Sequence, residues 1–152
     1  KLCKQVGFDV QLGIDNNNKA LYSNGNLRKL SKKIRLFVLV IKPNFGCSTE
    51  KIYSNLKYYS PKKLKEGKRN YYSLKNVLKL QNDLEKVVLK KYPQLNQVKL
   101  FMQSLPKTQL IRMTGSGSSI LGYFLTKNAS KNAAKLFKKK YKNYWCITSK
   151  TI

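Results

Sequence analysis

Histidine is absent from this sequence, and acids (six), cysteines (three), prolines (four) and tryptophan (one) are scarce among its 152 residues. Each shortage closes off a chemistry. Cys3, Cys47 and Cys146 are odd in number, far apart and without a histidine partner, so neither a disulfide framework nor a Cys/His zinc site is indicated and the thiols are expected to be reduced. No apolar run approaches the length that spans a bilayer, and the opening Lys1-Leu2-Cys3-Lys4 has neither a starting Met nor the apolar region of a secretion signal. The expectation is a soluble, cytoplasmic chain cut from something longer. Two full domains are too many for this length, whereas a hydrophobic content of 41% can supply one core.

What the sequence has in excess is positive charge: 32 basic residues against six acids, a formal net charge of +26. Such a balance ordinarily points to nucleic acid or an anionic membrane surface. Here only Arg28, Arg35, Arg69 and Arg112 are arginines, the residue suited to bidentate contacts, and lysine is spread over every segment. Asn, Ile and Tyr are also abundant and share A/T-rich codons with lysine, so base composition is a sufficient explanation. No nucleic-acid or membrane partner is expected.

The most unusual stretch runs from Ile111 to Phe124, two β-prone runs on either side of Thr114-Gly115-Ser116-Gly117-Ser118-Ser119. It reads as an antiparallel hairpin. Gly115 and Gly117 permit positive φ and bring bare N–H groups to a surface, and four hydroxyls surround them. The combination suits an anion such as phosphate, with a plain flexible connection as the alternative.

Earlier in the chain, Asp9 stands between apolar side chains in Gly7-Phe8-Asp9-Val10. It reads either as a helix cap or as a base with raised affinity for protons or metal. The Asn and Gly clusters of residues 15–33 suggest short strands joined by polar hairpins. Ile34 to Ile41 predicts a central strand buried on both faces. Lys42-Pro43-Asn44-Phe45-Gly46 ends it, and Ser48 or Thr49 then caps a helix bearing Ile52, Tyr53 and Leu56. A strand, a loop and a helix N-terminus in succession can hold a ligand, although Tyr53 taken alone reads as core.

Residues 57–75 predict a surface loop in which Tyr58, Tyr59, Tyr71 and Tyr72 interleave with lysines. Asn82 is placed to cap a helix through Lys91, with Glu85 closing a capping box. Pro93 begins a helix with Leu95, Val98 and Met102 or Phe101 on one face. After the hairpin, Ser130 is expected to cap a further helix, and Tyr144 to Ile147 a last strand. The order from residue 34 is α+β: two β-α-β halves forming a split βαβ (ferredoxin-like) sandwich, an antiparallel sheet covered on one face by helices.

Gly7-Phe8-Asp9-Val10, the run from Lys42 to Tyr53, Asn82-Asp83-Leu84-Glu85 and Met113-Thr114-Gly115-Ser116-Gly117-Ser118 resemble, in order and spacing, the 4-diphosphocytidyl-2-C-methyl-D-erythritol kinase family. That family belongs to the GHMP superfamily of galactokinase, homoserine, mevalonate and phosphomevalonate kinases. The resemblance covers nearly the whole chain and corresponds to the second half of such an enzyme. It implies residues 1–33 as the tail end of the N-terminal catalytic domain and 34–152 as the C-terminal GHMP-kinase domain. It also implies phosphoryl transfer from ATP, with Mg2+, to the 2-hydroxyl of the cytidyl-linked methylerythritol, a step of the non-mevalonate isoprenoid pathway.

Residue by residue, the resemblance implies that Asp9 is the catalytic carboxylate, that Thr49 and Tyr53 lie at the cytidyl group with the Tyr53 ring stacked on the base, and that Gly115, Ser116 and Gly117 form the phosphate-proximal loop. No metal ligand is implied. Gln11 stands where the family has Pro, Phe8 where it has a small residue, and Asn26 where an acid follows Gly25; these departures touch turn geometry and leave the carboxylate in place. The family's glycine-rich ATP loop and N-terminal catalytic Lys have no counterpart in these 152 residues, so the fragment alone is expected to be inactive. Its implied partners are ATP, the cytidyl substrate and the rest of the same chain. The competing class is a basic RNA-binding module of the same fold, which needs exposed aromatics on central strands, where Leu36 to Ile41 offers Phe37 among aliphatics.

Overall fold

The computed structural model describes residues 5–14, 17, 19–22, 24–29, 34–60 and 73–151, and of Phe8 and Asp9 the backbone alone. A 3-10 helix spans Phe8–Gly13. Strands β1 (Lys19–Leu21) and β2 (Leu27–Lys29) then pair antiparallel. Asn24 Oδ1 accepts the Asn26 N–H at 3.0 Å, and Gly25 takes a φ of 80° between them. The polar hairpin read from the Asn and Gly cluster is therefore made by the turn chemistry that suggested it.

From residue 34 the chain builds one four-stranded sheet. Strand β3 (Phe37–Lys42) is followed by α1 (Thr49–Ser54), α2 (Leu74–Val77), α3 (Asp83–Lys91) and α4 (Pro93–Ser104), then by β4 (Leu110–Met113), β5 (Ile120–Phe124), α5 (Lys127–Lys140) and β6 (Trp145–Lys150). The strand order is β4-β5-β3-β6 with every neighbour antiparallel. This is the split βαβ arrangement that the element order called for.

The period of two along the strands sends Leu39, Ile41, Ile111, Met113, Ile120 and Phe124 into the core. The helical period brings Leu84, Val88, Leu95, Val98, Met102, Ala133 and Phe137 to meet them. Gly122 lies at a tight point, where a Cβ would stand 3.1–3.3 Å from Ile111, Met102 and Phe124 side chains. At the end of α5 the Phe137 and Tyr141 rings stack with centroids 4.8 Å apart, and Phe101 meets Tyr141 edge-on.

Three expectations need correction. Strand β3 is central, but its second face is buried only in part: Val38 is buried, whereas Val40 is half-buried and its partner Ile147 across β6 is exposed. On the same face as Val40, Arg112 of β4 donates to the carbonyls of Val77 and Leu80, tying α2 against that edge of the sheet. Helix α5 starts earlier than expected, because Thr126, not Ser130, accepts the Ala129 N–H. Ser130 is buried one turn in and donates to the Lys127 carbonyl. The expected Glu85 capping box is replaced by a longer-range contact described below. Of the aromatic residues in the 57–75 stretch, Tyr58 and Tyr59 are exposed; Tyr71 and Tyr72 lie outside the described residues. Among the described residues no helix is long and apolar enough to cross a membrane.

Candidate functional site

The end of β3 and the β4–β5 loop are sewn together by one ammonium and one hydroxyl. Lys42 Nζ donates to the Phe45 carbonyl and to Ser118 Oγ, each at 2.9 Å, and Ser118 Oγ donates to the same carbonyl at 2.6 Å. Ser118 is 1% exposed. A hydroxyl so placed has its lone pair and proton committed internally, which withdraws it from the set of hydroxyls expected to face an anion.

The neighbouring pair remains at the surface. Thr49 Oγ1 and Ser116 Oγ share a hydrogen bond of 2.8 Å across 67 residues of sequence. Thr49 opens α1, whose N-cap Ser48 accepts the Lys51 N–H, with Glu50 in the first turn where an acid suits the positive helix end. Tyr53 follows Thr49 by one helical turn and so projects from the same side of α1. It is 54% exposed, while Ile52 beside it is fully buried. The period of 3.6 therefore assigns the core role to Ile52 and leaves the Tyr53 ring available.

The loop itself is bent by its glycines. Gly115 has φ 54° and Gly117 φ 87°. Gly117 donates its N–H to the Thr114 carbonyl at 3.0 Å, so this N–H serves the turn instead of pointing outward as expected. A Cβ on Gly117 would lie 2.9 Å from Met113 Sδ and 3.3 Å from Cys47 Sγ. Gly117→Ala is accordingly expected to destabilise the protein by about 1–2 kcal/mol from the left-handed backbone alone, with the clash adding to it. Thermal melts of this variant beside Gly115→Ala, which has open space for a Cβ, would check it. Equal losses in the two would remove the packing part of the explanation.

Asn82 and Glu85 were legible only as helix-start residues. In the structure they also grip the loop: Asn82 Nδ2 donates to the carbonyls of Met113 at 3.0 Å and Gly115 at 2.8 Å. Glu85 Oε1 accepts the Met113 N–H at 3.2 Å and pairs with Lys99 at 3.1 Å. The one hint in the sequence is that the cap is an asparagine, whose amide carries donors as well as an acceptor.

Cys47, beside Gly117, has its thiol pushed above the usual range by burial, with the charges of Lys42 and Lys91 pulling it part of the way back. Burial likewise raises Cys146, against a smaller pull from Lys138. Both are free thiols in their protonated form at neutral pH. Asp9 falls within the 3-10 helix after Gly7, but its side chain lies outside the described residues. The structure thus brings Thr49, Tyr53, Gly115, Ser116 and Gly117 to one corner and says nothing of the Asp9 carboxylate.

Two solved kinase structures share this fold. The crystal structure of 4-(cytidine 5'-diphospho)-2C-methyl-D-erythritol kinase superposes with a TM-score of 0.71 over 95% of this chain and 54% of that one, at 20% identity. Homoserine kinase from Cytophaga hutchinsonii superposes with a TM-score of 0.64 over 90% of this chain and 49% of that one, at 15% identity. At these identities the likeness is one of fold. No family model matches the chain. Curated relatives narrow the class: 4-diphosphocytidyl-2-C-methyl-D-erythritol kinase of Pelagibacter ubique (strain HTCC1062) is 46% identical over all of this chain and 54% of its own length. That of Thermodesulfovibrio yellowstonii is 34% identical over 82% of this chain and 45% of its own. The chain belongs to the 4-diphosphocytidyl-2-C-methyl-D-erythritol kinase family and spans about half the length of the curated relatives it matches.

Proposed function

We propose that this chain is the C-terminal part of a cytoplasmic, ATP-dependent kinase that phosphorylates the 2-hydroxyl of 4-diphosphocytidyl-2-C-methyl-D-erythritol in non-mevalonate isoprenoid synthesis. The observation that carries the reading is the Thr49–Ser116 contact of 2.8 Å. It joins the two segments whose resemblance was to a cytidyl-side helix and a phosphate-side loop, in a chain homologous to that family throughout. In this reading residues 1–33 close the N-terminal catalytic domain and 34–152 form the C-terminal one.

The acceptor oxygen attacks the γ-phosphorus of ATP, the bond to the ADP oxygen breaks, and Asp9 accepts or orients the hydroxyl proton. Gly115, Ser116 and Gly117 lie by the phosphates, and Thr49 and Tyr53 by the cytidyl group. Mg2+ would neutralise charge on the transferring phosphates when bound. Among the described residues no three His, Cys, Asp or Glu side chains gather into a cation site. Without a glycine-rich ATP loop the 152 residues alone are expected to give no turnover, since positioning is most of this catalysis.

Tyr53 tests the reading in the full-length protein. Tyr53→Ala is expected to weaken the cytidyl substrate by about 1–3 kcal/mol, the worth of one base–aromatic stack, and Tyr53→Phe to be nearly silent because stacking uses the ring face. With the ring 54% exposed, the melting temperature should move little in either. Substrate titrations and melts on the same two variants decide it. Unchanged affinity in Tyr53→Ala would end the stacking role.

A further inference from the structure

We infer that Asn82 is a positioning residue for the phosphate-proximal loop, a role that rests on the kinase reading of that loop. The side chain is fully employed. Its Oδ1 accepts the Leu84 N–H at 3.1 Å, capping α3, while Nδ2 donates to the Met113 carbonyl at 3.0 Å and the Gly115 carbonyl at 2.8 Å. Among the usual cap residues only asparagine can do both, because serine and threonine carry a single hydroxyl proton and ionised aspartate none.

The two carbonyls flank Thr114, where β4 gives way to the loop, so the clamp fixes the chain on either side of the bend. Glu85, one turn along α3, takes the Met113 N–H on Oε1 at 3.2 Å and is itself steadied by Lys99 at 3.1 Å. Both backbone polar groups of Met113 are therefore held by α3. In a planar trans peptide the N–H points opposite to the preceding C=O. Anchoring the Gly115 carbonyl on Asn82 thus sets the direction of the Ser116 N–H, in the residue whose hydroxyl meets Thr49. A donor aimed before the substrate arrives acts by pre-organisation, which is the part of phosphoryl-transfer catalysis a loop of backbone amides can supply.

The test is made in the full-length protein with Asn82→Asp and Asn82→Ser. Both keep an oxygen to cap Leu84 N–H; the first has no donor and sets an anion against two carbonyl oxygens, and the second is too short to span both. Amide hydrogen exchange at Thr114 and Gly117, whose N–H groups donate to the Ser119 and Thr114 carbonyls, is expected to quicken by about tenfold or more, reporting local opening of the loop. The kcat for ATP and the cytidyl substrate should fall by about tenfold or more, with the cytidyl KM changed by less than about threefold, as for an interaction that serves the transition state. Exchange at wild-type rates in both variants overturns the clamp. Faster exchange with wild-type kcat overturns the positioning role, as does a raised KM with kcat unchanged. A wild-type protein that does not turn over ATP would instead sink the kinase reading, and the exchange measurement would still decide whether Asn82 holds the loop.

Discussion

Phe124→Ala is expected to cost about 3–5 kcal/mol of stability, the range for truncating a large buried aromatic. Phe124 is fully buried at the end of β5, opposite Phe37 in the register with β3, and its ring lies 3.3 Å from where a Cβ on Gly122 would stand. That closeness means the neighbours already pack to contact and have little freedom to collapse into the space left behind. For a protein of this size the loss corresponds to a fall in melting temperature of roughly 6–20 °C at about 2–4 °C per kcal/mol. Circular-dichroism melts and urea titrations of the full-length protein would measure it. A loss under about 1 kcal/mol would mean that Phe124 is not a centre of this core. Leu100→Ala on the exposed side of α4 is the control, since this residue is 57% exposed and surface changes usually stay within about 0.5 kcal/mol.

Asp9→Asn in the full-length protein should leave binding of the cytidyl substrate nearly unchanged while kcat falls by roughly 10²-fold or more, the share of a positioned acid or base. The change removes the charge and the proton-accepting capacity and keeps the shape, so a folding defect is a poor rival explanation. What motivates it is the family resemblance of Gly7-Phe8-Asp9-Val10 together with 46% identity to a curated relative over the whole chain. Steady-state kinetics at saturating ATP, read separately for kcat and KM, would check it. Weakened binding with kcat preserved would make Asp9 a structural or binding residue.

Most of the secondary structure was legible because its causes are local. The unbroken apolar run of β3, Asn82 ahead of an apolar face, Pro93 at the first position of α4 and the Asn-Gly turn at residues 24–25 each act within a few residues. The start of α5 was misplaced by four residues because Thr126 and Ser130 are both plausible caps; which one faces outward depends on how the helix lies on the sheet, and there Ser130 is buried. The partial burial of the second face of β3, with Val38 buried and Val40 half-buried, was hidden for a related reason, since an apolar strand looks the same whether that face is closed or half open.

The candidate site divides in the same way. Its residue types were readable: glycines for a bent loop, a capped helix after a strand, an aromatic four residues beyond Thr49. The sequence by itself determined the α+β order, the positions of the bends and the amphipathic faces, because these follow from backbone dihedrals and side-chain periods that each residue carries with it. Only the tertiary structure decided that Ser118 turns inward to Lys42 and Phe45 while Ser116 meets Thr49, that Tyr53 is open and Ile52 closed, and that Asn82 and Glu85 hold a loop some thirty residues away. Those outcomes depend on which donors and acceptors packing brings within about 3 Å of one another, and chain separation carries no record of that distance.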